Sequence, residues 1–148
     1  MKIIANNKKA NHDYFINEKY EAGIVLTGSE VKSLRINTGS IKESYITDKD
    51  GELWLTNCYI KKYSSSNESN DNTNRDRKLL ITKKELSKIS GTIKQGGFSV
   101  VPLMLYFTNK GLAKLSFGIG KGKKKYDKRQ SIKEKDWNIK KERILKDN

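Results

Sequence analysis

Between Gly118 and Arg129 the chain sets six cations, three glycines and one aromatic ring in twelve positions. Like charge at that density cannot lie against an apolar core without an anionic partner, so a folded body must be assembled from what precedes it. The stretch is suited to phosphate. Its surroundings carry the same sign: 31 Lys+Arg against 17 Asp+Glu leave a net charge of +14, of which +8 falls on the 38 residues from Gly111 onward. A balance of this kind favours a polyanion as partner over an acidic small molecule.

The 148 residues suit one core with an appendage, a body over 1–120 and a basic tail over 121–148. No apolar run near the N-terminus has the length of a signal-peptide h-region and no later run could span a bilayer, so a cytoplasmic protein without a membrane is expected. Cys58 is the one cysteine, which excludes an internal disulfide and a cysteine zinc cluster; it reads as a small buried residue in a strand.

Residues 1–11 hold Lys2, Lys8 and Lys9 without periodicity and read as a flexible basic arm. From Tyr14 to Leu26 apolar residues fall on even positions, the alternation of a strand, which turns Glu21 away from the core. Thr27 and Glu30 have capping-box spacing and predict a helix to about Ile36, with Val31 and Leu34 inward and Lys32, Ser33 and Arg35 outward. Ile41–Thr47 and Glu52–Tyr63 flank Asp50-Gly51 and should pair as a hairpin. A mobile polar loop is expected over 64–76, because Ser64 to Asn74 contains no apolar side chain. Thr82 and Glu85 open a second helix that closes near Gly96-Gly97. Phe98–Thr108 and Leu112–Ile119 read as strands, and Pro102 belongs at an edge or a bulge.

Five or six strands and two capped helices, without regular alternation of strand and long helix, argue against a parallel sheet. The pattern predicts a mainly β fold: an OB-like antiparallel barrel with two or three flanking helices. Ser131 to Leu145 holds helix formers with Ile132, Trp137, Ile144 and Leu145 loosely spaced among cations, so the tail should be disordered when free and helical when bound.

One histidine, His12, and one cysteine in an unrelated strand offer no nucleophile with its base, and no zinc spacing appears; no catalytic residue, metal or cofactor is expected. Gly118 to Gly122 lacks the full spacing of a phosphate loop and has glycine where Ser or Thr would stand. Binding chemistry is richer. Tyr126 and Trp137, set among Lys and Arg with no core to join, can stack on bases. Lys32 and Arg35, with Arg75, Arg77 and Lys78, form a second possible patch, and Glu21 can accept from base amino groups or a ribose hydroxyl. On composition alone a generic single-stranded RNA-binding or ribosomal OB module is the alternative, and a small nuclease using His12 a third.

Asn11-His12-Asp13-Tyr14-Phe15-Ile16, Tyr20-Glu21-Ala22-Gly23-Ile24, Gly28-Ser29-Glu30-Val31-Lys32-Ser33-Leu34-Arg35, Arg77-Lys78-Leu79-Leu80 and Gly122-Lys123-Lys124-Lys125-Tyr126-Asp127-Lys128-Arg129 occur in this order. Together they resemble the SsrA-binding protein family over nearly the whole chain. The resemblance implies an OB-like barrel that binds the tRNA-like domain of transfer-messenger RNA (tmRNA) and carries it to stalled ribosomes for trans-translation. By the resemblance His12, Glu21 and Leu80 match positions of the RNA-binding face, and with Ser33 and the cations Lys9, Lys32, Arg35, Lys78, Lys121, Lys123 and Lys124 they make up the expected RNA-binding set. In the tail, Tyr126, Asp127, Lys128, Arg129, Trp137, Ile144 and Leu145 are implied for the ribosome, at the small-subunit decoding centre and empty mRNA channel. Elongation factor Tu (EF-Tu) and alanyl-tRNA synthetase are implied partners through the RNA, and the protein itself is expected to be a monomer. Asn11 stands where the family pattern has Arg, and Thr82 where Asn is frequent.

Overall fold

The structure, a computed structural model, describes residues 1–36, 38–63, 73–123 and 129. Among these residues nine strands and three helices follow in chain order: β1 Lys2–Asn6, α1 Ala10–Asp13, β2 Tyr14–Ile24, α2 Gly28–Arg35, β3 Gly39–Ser40, β4 Tyr45–Lys49, β5 Glu52–Thr56, β6 Tyr59–Ile60, β7 Arg77–Leu80, α3 Lys83–Gln95, β8 Ser99–Phe107 and β9 Ala113–Gly122. Seven of the strands make one sheet in the order β1-β8-β9-β2-β7-β5-β4, and β3 pairs with β6 in a short ribbon. Every pairing is antiparallel. The sheet curls until β4 faces β8. A cleft of about 470 Å³ lies between these two strands, with Tyr45 to Asp48 on one wall and Ser99 to Pro102 on the other.

The fold is mainly β and antiparallel with few helices, in agreement with the expected class. Leu53, Leu55, Leu105, Leu115 and Phe117 are fully buried at its centre, joined by Leu34 of α2 and Ile89 of α3. Burying each such side chain contributes about 1.5–3 kcal/mol. Both helices are placed where their caps predict. In α2 the Thr27 hydroxyl accepts from the Glu30 amide while the Glu30 carboxylate accepts from the Thr27 amide, and in α3 Thr82 accepts from the Glu85 amide. Asp50 and Gly51 take positive φ values of 55° and 74°, the two-residue turn that joins β4 to β5. Pro102 sits at a register break between Pro102 and Met104, where no ladder donor is needed.

Several expectations are corrected. Residues 2–6 are not a free arm but a strand on the edge of β8, with Ile4 and Ala5 packed against the core. The strand predicted over Ile41–Thr47 begins only at Tyr45, because Ile41 to Ser44 is a turn whose Ser44 amide and hydroxyl both donate to the Ile41 carbonyl. Its partner breaks at Asn57, which takes φ 59°, and the chain resumes as β6 against β3. The polar segment 64–72 lies outside the described residues, as does the predicted tail helix.

Candidate nucleic-acid interface

Antiparallel partners place their side chains on the same face of a sheet. Reading the register across five strands, Leu80 of β7 is opposite Gly23 of β2, Gly23 opposite Lys114 of β9, Lys114 opposite Tyr106 of β8, and Tyr106 opposite Ile3 of β1. The neighbouring row runs Glu21, Ser116, Met104. Lys78, two residues before Leu80, points the same way. One outward face therefore gathers Leu80, Lys78, Glu21 and Lys114. Leu80 is 53% exposed, a large apolar side chain left in solvent beside charges. The Tyr106 ring is buried in this face, and burial together with the Glu21 carboxylate that its hydroxyl meets pushes the phenol up to about 12. Lys78 reaches the Glu52 carboxylate at 2.9 Å.

A second group forms where β9 ends. The Lys123 amide donates to the Asp13 carbonyl at 2.7 Å and its Nζ to the Asn11 carbonyl at 2.8 Å, so the end of β9 is tied to α1. The same Nζ lies 4.8 Å from the Phe15 ring centroid, and Lys121 Nζ lies 5.2 Å from that of Phe98. His12, half-buried on α1, holds its Nδ1 at 2.9 Å from Asp13 Oδ1. Lys9 is exposed and, with Lys8 and Lys42, lines a cleft of about 420 Å³ between residues 4–9 and 39–42.

Three readings of the residues change with the geometry. Ser33, expected outward, is 1% exposed, and its hydroxyl donates to the Lys61 carbonyl at 2.6 Å. Arg77 belongs to no surface patch: it is 0% exposed and its guanidinium meets Glu30, with Nε at 2.7 Å from Oε2. Arg75 also pairs with Glu30. Gly118 and Gly120 are buried strand residues, and a Cβ on Gly120 would fall 2.0 Å from the Phe15 carbonyl oxygen. Their lack of side chain serves the close approach of β2, not phosphate.

Lys32 and Arg35 remain exposed on α2, and Arg129 is exposed. Lys124, Tyr126, Asp127, Lys128, Trp137, Ile144 and Leu145 lie outside the described residues. The face also holds residues that the sequence reading did not single out, Lys114 and Tyr106. Alternation alone puts Lys114 on the non-core side of its strand, but only the strand order sets it beside Glu21 and Leu80. Among the described residues no group of three His, Cys, Asp or Glu could hold a metal ion, and no helix is long and apolar enough to cross a membrane.

The family model for SmpB protein matches residues 4–147. An SsrA-binding protein of Ehrlichia ruminantium (strain Gardel) is 54% identical over 146 residues, 99% of each chain. One from Wolbachia pipientis subsp. Culex pipiens (strain wPip) is 50% identical over 148 residues, 100% of this chain and 99% of the relative. A solved chain from work on tmRNA-SmpB in the bacterial ribosome superposes with a TM-score of 0.67 at 42% identity, over 86% of this chain and 92% of that one. The order of motifs in the sequence, the curled antiparallel sheet and these matches agree, and the chain belongs to the SmpB family of SsrA-binding proteins.

Proposed function

We propose that the chain is an RNA-binding adaptor that holds the tRNA-like domain of tmRNA on its sheet and delivers it to stalled ribosomes for trans-translation. The observation that carries this reading is the single outward face on which Leu80, Glu21, Lys78 and Lys114 meet across three adjacent strands. Cations hold the RNA backbone, Glu21 accepts from a ribose hydroxyl or base amine, and Leu80 covers an apolar sugar or base surface. His12, Lys9, Lys121 and Lys123 extend this grip around α1 and the end of β9. Lys32 and Arg35 add cations from α2, and Ser33 supports them from within.

β9 and the tie from Lys123 to α1 close the described body, and the basic segment from Lys124 onward is assigned a second role. Its residues Tyr126 to Arg129, Trp137, Ile144 and Leu145 engage the decoding centre and the empty mRNA channel. EF-Tu and alanyl-tRNA synthetase meet the protein only through the shared RNA. The adaptor works in the cytoplasm, as a monomer, without catalysing a reaction and without a cofactor.

A chain ending at Lys123 keeps the nine strands and three helices found among the described residues. It is expected to bind the tRNA-like domain as tightly as the full chain while leaving stalled peptides untagged in a reconstituted translation assay. Loss of RNA affinity on this truncation would overturn the division between body and tail.

A further inference from the structure

Tyr106 is buried where a side chain should stand in solvent. On β8 its neighbours Leu105 and Phe107 point into the core, so alternation puts Tyr106 on the outward face, yet only 4% of it is exposed. Its hydroxyl meets the Glu21 carboxylate on β2, with β9 between the two strands. Strands once removed stand about 10 Å apart, so the ring must lie across β9 for the contact to form. The row leaves room for it: Tyr106 is opposite Lys114, Lys114 is opposite Gly23, and Gly23 has no side chain. Glu21 itself remains exposed, held by a group that is shut in.

A carboxylate only accepts hydrogen bonds, and a glutamate side chain loose in solvent must give up its rotamer freedom before it can accept one from a ligand. A phenol that donates to one of its oxygens sets the direction of the other, so less ordering remains to be done on binding. Burial and Glu21 together push the Tyr106 phenol up to about 12, so at neutral pH the hydroxyl keeps the proton it donates. Lys114 is the diagonal neighbour of Glu21, whose direct partner is Ser116, and such neighbours stand about 7–8 Å apart. A phosphate held by Lys114 brings the ribose of the same backbone, rather than a base edge, to Glu21. We propose that Tyr106 is a positioning residue: it orients Glu21 to accept from a ribose 2′-hydroxyl of the tRNA-like domain, and so lets this face tell ribose from deoxyribose. This rests on the RNA-adaptor reading and deepens it.

The test measures the affinity of the full chain for a tRNA-like-domain transcript and for copies carrying single 2′-deoxy nucleotides. Wild type is expected to lose roughly 3- to 10-fold at one or two positions, the worth of a hydrogen bond. Tyr106→Phe keeps the ring and removes the donor; it is expected to bind the all-ribose transcript about as weakly as wild type binds those copies, with the sensitivity to 2′-deoxy substitution gone. In a Glu21→Ala background the same substitution should change nothing further. A purely structural tyrosine would weaken ribose and deoxy transcripts alike and in either background, and that pattern overturns the proposal. Glu21→Asp leaves Tyr106 intact and keeps the charge while shortening the reach, so it tests the same point should Tyr106→Phe fail to fold. Ribose discrimination is expected to disappear in it, and its persistence overturns the proposal. Sensitivity to inosine in place of guanosine, with none to 2′-deoxy substitution, gives Glu21 to a base amine and sinks the ribose assignment. If wild type binds tightly and no 2′-deoxy position matters, the positioning role falls while the adaptor reading stands; a wild type that does not bind the transcript defeats both.

Discussion

Arg77 illustrates how a residue's role depends on where its strand runs. In the sequence it is one of three cations before an apolar run; in the structure it is wholly buried, with Nη1 donating to the Cys58 carbonyl at 2.6 Å and Nη2 to the Thr73 carbonyl at 3.1 Å. Nothing in the local pattern distinguishes it from Lys78, which reaches solvent one residue later. Its partner Glu30 caps α2 and neutralises Arg77 at once. Burial alone would raise the Glu30 pKa, but hydrogen bonds from Arg75, the Thr27 amide and Arg77 outweigh it and hold the carboxyl below its ordinary value. A carboxyl whose folded pKa lies below its unfolded value contributes stability above the unfolded pKa, and that contribution is lost as pH falls through the folded one. Unfolding free energy should therefore drop on acidification below about pH 4.5, the ordinary carboxyl value. Glu30→Gln should flatten that drop and cost about 3 kcal/mol at neutral pH, since it leaves Arg77 buried without its charge partner. Urea titrations of both proteins across pH 3–7 would check it; parallel pH profiles would refute the linkage.

At the level of elements, what the sequence reveals is what is local. The caps of α2 and α3 and the Asp50-Gly51 turn each depend on a few adjacent residues, and each forms where it is predicted. The Gly118–Gly122 stretch is different, because its glycines answer to a strand a hundred residues away. Gly118 and Gly120 lie against β2 beside the register break between Ile16 and Glu18, and their tight neighbours include the Glu18 and Phe15 carbonyls. Backbone at such a distance cannot shift as a side chain can. Gly120→Ala is expected to destabilise the body by about 3 kcal/mol, the upper range for overpacking, while Gly28→Ala, with nothing within 4 Å of the added methyl, should cost far less. Denaturation midpoints for the two variants decide this, and equal midpoints would remove the packing role of Gly120. The cationic half of the stretch starts only where this packing stops.

For the whole molecule, alternation establishes which residues face inward but not which strands are neighbours. Glu21, Leu80 and Lys114 could each be read as outward-facing or exposed, yet only the order β9-β2-β7 makes them one surface. The N-terminal segment was illegible for the same reason: Lys2 to Asn6 shows no strand pattern of its own, and its partners, Met104 to Phe107, lie far along the chain. This strand covers the edge of β8, and its Ile3 lies opposite Tyr106 on the face assigned to RNA. Removing residues 1–6 should therefore act in two ways. It strips core contacts of Ile4 and Ala5, lowering the denaturation midpoint, and it leaves four residues of β8 with unpaired backbone groups, inviting edge-to-edge association. The truncated protein is expected to melt earlier and to scatter light increasingly with concentration, whereas a solvated arm could be removed without either effect. Unchanged melting and a concentration-independent mass would mean that β1 contributes nothing to closing the sheet. RNA affinity measured on the same protein, at concentrations below the onset of association, would then report how far the support of Tyr106 by Ile3 reaches Glu21.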